Sequence, residues 1–219
     1  MPFPAVHALA KPSGAPQSGG VASRSLFVTR VHEAEIADQA LLAELAHSIR
    51  TLARDDSAGR RWSRECGYAG YTSYASLNDL PKRDPAFADI ARLVRPHVAA
   101  FAKACAFKLD RPLKLDSLWV NALPANGLHR AHIHPHSVVS GTLYVEVPKG
   151  SGAICFEDPR LPMMMAAPPR ANGAPEELRT VVAIDPRPGL LLLWESWLRH
   201  EVLPGRGRGE RLSISFNFA

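Results

Sequence analysis

LHRAHIHPHSVVSGTLY (residues 128–144) is the stretch whose reading decides the fold. Four of the nine histidines, His129, His132, His134 and His136, fall within eight residues. Val138, Val139, Leu143, Tyr144, Val145 and Val147 give its C-terminal side the β-branched, aromatic and aliphatic character of a strand. On extended backbone, side chains at i and i+2 share a face, so His132 and His134 project together. Two imidazoles presented by one short strand can hold one metal ion, and imidazole suits zinc, iron, copper and nickel. His129 falls on the other face of a regular strand. His136 follows Pro135 at a turn. Both are expected at the surface or behind the ligands. The third ligand has to come from elsewhere, and His200 is the candidate. Loose metal binding by the HxHPH run alone is the alternative, and it would leave His200 uninvolved.

From Leu113 onward, short β-type runs recur between prolines and glycines: LKLDSLWVNAL, SVVSGTLYVEV, GAICFED, TVVAI, GLLLLWE, HEVLP and RLSISFNF. No helical periodicity separates them, which predicts an antiparallel sandwich or small barrel. Residues 158–180 are too rich in proline for strand or helix and are expected to form a long covering loop. Upstream, Leu41, Leu42, Leu45, Ile49 and Leu52 repeat at helical spacing, with Arg50 and Arg54 closing the helix and residues 55–59 ending it. A second helix is expected from Pro85 to Phe107 with the stripe Phe87, Ile90, Val94, Val98, Phe101 and Cys105. Between them, residues 60–84 read as an irregular aromatic segment (Trp62, Tyr68, Tyr71, Tyr74) that packs over the core or a pocket mouth. SLFVTRV, residues 25–31, reads as a strand. Residues 1–24 are rich in Pro, Gly, Ser and Ala and are expected to be disordered. The organisation predicted is one domain over 25–219, with helical support at 32–108 and a β core at 113–219.

Composition narrows the function. A 219-residue chain with 46% hydrophobic and 21% charged residues can bury its own core. The net charge of +5 is spread along the chain without a dense basic run interleaved with aromatics. Nucleic acid is therefore the least favoured partner, and a small molecule or peptide is preferred. Three cysteines (Cys66, Cys105, Cys155) without metal-type spacing read as reduced thiols of a cytoplasmic protein. No apolar run approaches the roughly 20 residues that cross a bilayer, and no signal-type apolar segment opens the chain. Exposed edge strands make a homodimer the expected assembly.

The last strand carries the second half of a site. Alternation in ERLSISFNF puts Arg211, Ser213, Ser215 and Asn217 on one face and Leu212, Ile214, Phe216 and Phe218 on the other. A charged Arg among buried polar groups needs an anion, and its fork matches a carboxylate. That anion is either a ligand or an internal partner such as Glu146 or Asp185.

Taken in order, HxH, SG-x-x-Y, FEDPR, PG-x-L-L-L-W-x-S-W-L-x-H and R-x-S-I-S-F-N resemble the Fe(II)/2-oxoglutarate-dependent oxygenases, in a bacterial and phage group of unassigned substrate. The resemblance covers residues 113–219 and extends loosely to about residue 25. It implies a mainly β fold with flanking α, a double-stranded β-helix (jelly roll, cupin-like) carried on N-terminal helices. It implies Fe(II) on His132, His134 and His200. It implies 2-oxoglutarate held by Arg211 and Ser213, with Tyr144 and Asn121 in the pocket. The implied reaction is hydroxylation of an unidentified substrate with release of succinate and carbon dioxide. One departure stands out: the wider superfamily keeps Asp or Glu where this chain has His134. Two other readings stay open, a cupin-like three-His metalloenzyme that uses no 2-oxoglutarate and a non-catalytic ligand-binding sandwich.

Overall fold

The computed structural model describes residues 23–219, so most of the segment expected to be disordered lies outside the described residues. Residues 23–30 form no strand and are exposed; the first strand is β1, Val31–Glu35, which starts six residues later than SLFVTRV suggests. The displacement has a simple cause. Phe27 sits at φ 59, which breaks extension, and β1 gains its hydrogen-bond partner only where it meets β8, Leu190–Glu195.

Three helices follow rather than two. In α1, Gln39–Asp55, Asp38 caps the first turn by accepting from the Leu41 N–H at 3.0 Å. Leu41, Leu42, Leu45 and Ile49 are buried along its inner stripe. Residues 55–59 do not simply end that helix. Asp56 closes α1 and starts α2, Ser57–Glu65, by accepting from the Gly59 N–H at 2.9 Å. The sequence SAGRRWSRE has no apolar stripe, and only Gly59 and Ser63 are buried in it, so its periodicity gave no signal. The third helix, α3, Pro85–Ala104, starts at Asp84 with proline in the first turn and buries Phe87, Ile90, Val94, Val98 and Phe101. Ser48 of α1 donates to Asp84 at 2.7 Å, which ties the two long helices together at the cap.

The β region is two antiparallel sheets. β2 (Tyr71–Thr72), β3 (Leu115–Pro124), β5 (Val139–Glu146) and β10 (Glu210–Phe218) join β1 and β8 in a six-stranded sheet, ordered β1-β8-β5-β10-β3-β2. β4 (His129–His132), β6 (Ile154–Glu157), β7 (Val181–Ile184) and β9 (His200–Val202) form a four-stranded sheet, ordered β4-β9-β6-β7. Residues 158–180 form the long connection expected, with two single 3₁₀ turns in it.

The helices cover the outer face of the larger sheet, and its inner face meets the smaller sheet. β10 shows why. Leu212, Ile214, Phe216 and Phe218 join the core under α1 and α3, while Arg211, Ser213, Ser215 and Asn217 turn inward. Between the sheets, Tyr144, Leu190, Leu192 and Trp194 pack on Ile154, Phe156 and Val202. Each such side chain contributes about 1.5–3 kcal/mol on burial. The helical core is thus the foundation of the larger sheet, and the gap between the sheets is left for a site. Among the described residues no helix is long and apolar enough to cross a membrane.

Candidate metal centre

The histidine run is not one regular strand. β4 stops at His132, and its pairing with β9 is irregular between His129 and His132. His132 lies opposite His200 in register, so two of the expected ligands meet across a strand pair. His134 lies beyond the strand end, held by its own N–H donating to the Ser196 carbonyl at 2.9 Å. Backbone irregularity, not ideal alternation, brings the rings together. His132 and His134 stack at 5.1 Å between centroids, and His200 lies 4.4 Å from His132 and 5.1 Å from His134.

The imidazole nitrogens explain the arrangement. His132 Nδ1 faces the Arg130 carbonyl at 2.7 Å, and His200 Nδ1 faces the Leu198 carbonyl at 2.9 Å. A carbonyl only accepts, so each Nδ1 carries the proton and each Nε2 keeps its lone pair. His134 Nδ1 meets Asn217 Oδ1 at 2.7 Å and Ser140 Oγ at 2.9 Å. Nε2 of His132 and Nε2 of His134 are then 3.2 Å apart, and one nitrogen from each of the three rings falls within 4.8 Å of the others. Burial lowers the pKa of all three, that of His200 to about 3, which favours neutral rings. Converging lone pairs on neutral rings repel unless a cation lies between them. With metal–imidazole bonds of about 2.1 Å, ligands at right angles sit about 3 Å apart. The donor set therefore fits a divalent transition metal, and three ligands leave other positions open.

A polar network holds His134. Ser140 donates to Asn217 Oδ1 at 2.8 Å and meets the Ser196 hydroxyl at 2.8 Å, while Asn217 Nδ2 donates to Ser117 at 3.3 Å. These residues explain three of the sequence motifs: the Ser of SG, the Ser of WxSW and the Asn of SFN all orient one ligand. Glycine at 141 has its own cause, because a Cβ there would run into the Phe216 ring and the Leu193 side chain.

From the three imidazoles a cleft runs between the sheets toward Arg211, and Asn121, Tyr144 and Ser213 line it. Trp119, Thr142, Trp194 and Ser215 line it too. No aspartate or glutamate is among its lining residues. Arg211 is 6% exposed, donates through Nη1 to the Gly152 carbonyl at 3.0 Å and lies 5.4 Å from the Tyr144 ring centroid. Its Nε has no partner, and neither suggested internal anion pairs with it; Glu146 pairs with Arg50 at 2.6 Å. A buried guanidinium with a free donor and no carboxylate fits the end group of a dicarboxylate. Asn121 Nδ2 donates to Ser215 at 3.1 Å, leaving Oδ1 buried without a partner. Turned over, the same amide would accept from Ser215 and offer two N–H donors to an anion in the cleft.

One residue differs from expectation. His129 does not face away; the irregularity in β4 turns it into the cleft, stacked on His132 at 4.5 Å and edge-on to Tyr68 at 5.3 Å. Burial and the neighbouring His132, His134 and Arg211 lower its pKa to about 3. Tyr68 is the one residue of the aromatic segment that lines the cleft, its phenol pushed up to about 12 by burial. Tyr74 is half-exposed and stands edge-on to Trp119, 5.2 Å between centroids. His136 is exposed, as expected.

Fold and site together define a two-sheet jelly roll whose cleft holds three converging imidazoles that could bind a metal ion. Residues 117–217 match the model of a family described as "Putative 2OG-Fe(II) oxygenase", and this segment is the part of the chain that the family accounts for. Among curated proteins none matches the sequence significantly. Solved structures share the fold. A Pseudomonas putida prolyl-4-hydroxylase aligns over 87% of this chain and 92% of its own, with TM-score 0.58 and 18% identity. HygX from Streptomyces hygroscopicus, solved with nickel, 2-oxoglutarate and hygromycin B bound, aligns over 88% and 83%, with TM-score 0.58 and 16% identity. The viral collagen prolyl hydroxylase of Paramecium Bursaria Chlorella virus-1, in a 2-oxoglutarate complex, aligns over 86% and 94%, with TM-score 0.57 and 10% identity. Residues 117–217 are thus similar to that family, and the chain shares the double-stranded β-helix fold of these structures.

Proposed function

We propose that the cleft hydroxylates a small-molecule or peptide substrate, with His132, His134 and His200 holding Fe(II) and Arg211 holding the far carboxylate of 2-oxoglutarate. The observation that carries this reading is the pairing of two unsatisfied ends in one cleft. Three neutral imidazoles converge at one end, and a buried arginine without an anion stands at the other.

When bound, iron and 2-oxoglutarate would supply the oxidising chemistry together with molecular oxygen, one oxygen atom entering the substrate C–H to give C–OH and the other entering the succinate formed as 2-oxoglutarate loses carbon dioxide. The chain's own residues bind and orient. The Arg130 and Leu198 carbonyls and Asn217 fix each ligand ring with its lone pair inward. Arg211 and Ser213 bind the distal carboxylate, Asn121 turns its amide toward it, and Tyr144, kept neutral with its phenol at about 12, walls the same end. The apolar layer of Ile154, Trp194 and Val202 excludes water and strengthens these contacts.

The three unpaired cysteines accord with a cytoplasmic setting. The substrate class follows the charge distribution and the two hydroxylases of similar fold, one of which is a collagen prolyl hydroxylase by its description. The test is succinate formation by protein supplied with Fe(II), ascorbate and 2-oxoglutarate, read by mass spectrometry. Slow succinate release is expected from the wild type and none from His200→Ala. Equal release from both would overturn the assignment of the centre.

A further inference from the structure

Three buried side-chain polar atoms lack a partner among the described residues: Arg211 Nε, Asn121 Oδ1 and Trp194 Nε1. All belong to residues lining the cleft. Arg211 and Asn121 are accounted for by the distal carboxylate. Trp194 is not. The residue is 2% exposed, and an indole N–H donates but never accepts, so no tautomer relieves it. Buried donors in folded proteins are nearly always paired, and one left over calls for an acceptor that the chain itself does not supply.

Its position says which acceptor. Trp194 stands opposite Ser140 in the β5–β8 register, at the level of the network that holds His134. Its ring lies 4.7 Å from the His200 centroid and 6.4 Å from that of His134. It therefore flanks two of the three metal-ligand candidates, while Arg211 lies six residues from Asn217 along β10, at the other end. The unsatisfied donors mark the two ends of one cleft, and 2-oxoglutarate is a dianion with a carboxylate at each end.

We propose that the Trp194 indole N–H donates a hydrogen bond to the C1 carboxylate of 2-oxoglutarate and so fixes the orientation of the cosubstrate beside the three histidines. This rests on the function proposed above. It makes Trp194 a cosubstrate-binding residue, the counterpart at the metal end of Arg211. It also gives a reason for tryptophan in the motif LLLWES: a phenylalanine would fill most of the same space and leave the carboxylate without its donor.

The experiment uses full-length, ¹⁵N-tryptophan-labelled protein loaded with Zn(II), which binds without turnover. The four tryptophans give four indole signals, and Trp194→Phe identifies the one in question. Addition of 2-oxoglutarate is expected to move the Trp194 indole proton downfield by more than those of Trp62, Trp119 and Trp197. Calorimetry on Trp194→Phe is expected to show about tenfold weaker 2-oxoglutarate binding, the loss of one hydrogen bond to a charged acceptor, with Zn(II) affinity unchanged. A stationary Trp194 signal, or a variant that binds 2-oxoglutarate as the wild type does, overturns the inference. A stationary signal is what results if the face of Phe156, whose ring lies 5.3 Å away, already takes the N–H. Should Trp194→Phe not fold, the wild-type spectrum decides, its signals assigned by elimination through Trp62→Phe, Trp119→Phe and Trp197→Phe. If calorimetry shows no 2-oxoglutarate binding to the wild type, the function itself fails and this inference with it.

Discussion

Replacing Arg211 with methionine separates a ligand-binding arginine from a structural one. The guanidinium is 6% exposed, makes one hydrogen bond to the Gly152 carbonyl and has no carboxylate partner. Truncating one side of a buried, hydrogen-bonded charge pair costs about 2–5 kcal/mol of binding. Arg211→Met is therefore expected to weaken 2-oxoglutarate by roughly 30-fold or more. In Zn(II)-loaded wild type, 2-oxoglutarate at 100 times its Kd stabilises by about 2.7 kcal/mol. For a chain of this size that raises Tm by about 5–11 °C. At the same concentration the variant would gain less than about 1 kcal/mol, a shift of a few degrees at most. The ligand-free proteins give the opposite sign. A desolvated cation without an anion is destabilising, and a methionine of similar length is not, so unliganded Arg211→Met is expected to melt no lower than wild type. Differential scanning calorimetry reads both. A variant that melts several degrees lower without ligand yet keeps the full 2-oxoglutarate shift would refute the reasoning, because Arg211 would then be holding the fold and not the cosubstrate.

Three further outcomes follow from named contacts. Asn217→Ala removes the main acceptor for His134 Nδ1, and metal affinity measured against a competing chelator is expected to fall about 10–100-fold with the fold intact; an unchanged affinity would discard the orienting role. Asp56 is pushed up by burial, but hydrogen bonds from Ser76, the Gly59 N–H and Tyr71 outweigh this and hold its pKa below the usual value. A depressed carboxylate contributes stability above its unfolded pKa of about 3.9 and loses it as pH falls through the folded value. The acid limb of the wild-type stability curve below about pH 4 should therefore be steeper than that of Asp56→Asn, by urea unfolding at a series of pH values, and identical limbs would contradict it. Gly141→Ala forces a methyl against Phe216 and Leu193 and is expected to cost about 1–3 kcal/mol by urea unfolding; a neutral result would mean that the core there yields.

Much of this was legible because period-two alternation shows where one face of a strand packs on an apolar core and the other on a polar site. ERLSISFNF splits cleanly into a core face and a site face, and no other strand assigns its residues so fully. The apolar stripes of α1 and α3 were legible for the same reason at helical period. What failed were features set by tertiary contact. α2 is amphipathic only in its charged residues and is fixed by Asp56 and by Ser63, whose hydroxyl accepts from the Thr72 N–H at 3.2 Å. His129 was misplaced because alternation presumes a regular strand, and the irregularity in β4 reverses its face. No local pattern announces such a bulge; it is imposed by the pairing of β4 with β9. Trp194 looked like one more apolar residue in a buried run, and only the missing acceptor distinguishes it.

His134, at the position where the wider superfamily that the sequence resembles keeps a carboxylate, changes the charge of the whole cleft and not only of its own position. Neutral imidazoles leave a divalent ion with its full charge, and Arg211 adds another positive charge at the far end. The lining carries no acidic side chain to offset either. Low-dielectric walls make such uncompensated charge costly and make a matching anion correspondingly favourable. A dianion of the length of 2-oxoglutarate neutralises both ends at once, whereas a monocarboxylate leaves one unpaired. With an aspartate at 134 the metal end would be partly neutralised before the cosubstrate arrives, so His134→Asp is expected to hold metal yet bind 2-oxoglutarate more weakly than wild type. Asn217 sharpens the expectation, because its Oδ1 accepts from His134 and would have to turn over to donate to a carboxylate. Calorimetric titration of both Zn(II)-loaded proteins with 2-oxoglutarate measures the difference, and tighter binding by His134→Asp would show that ligand charge does not govern affinity in this cleft.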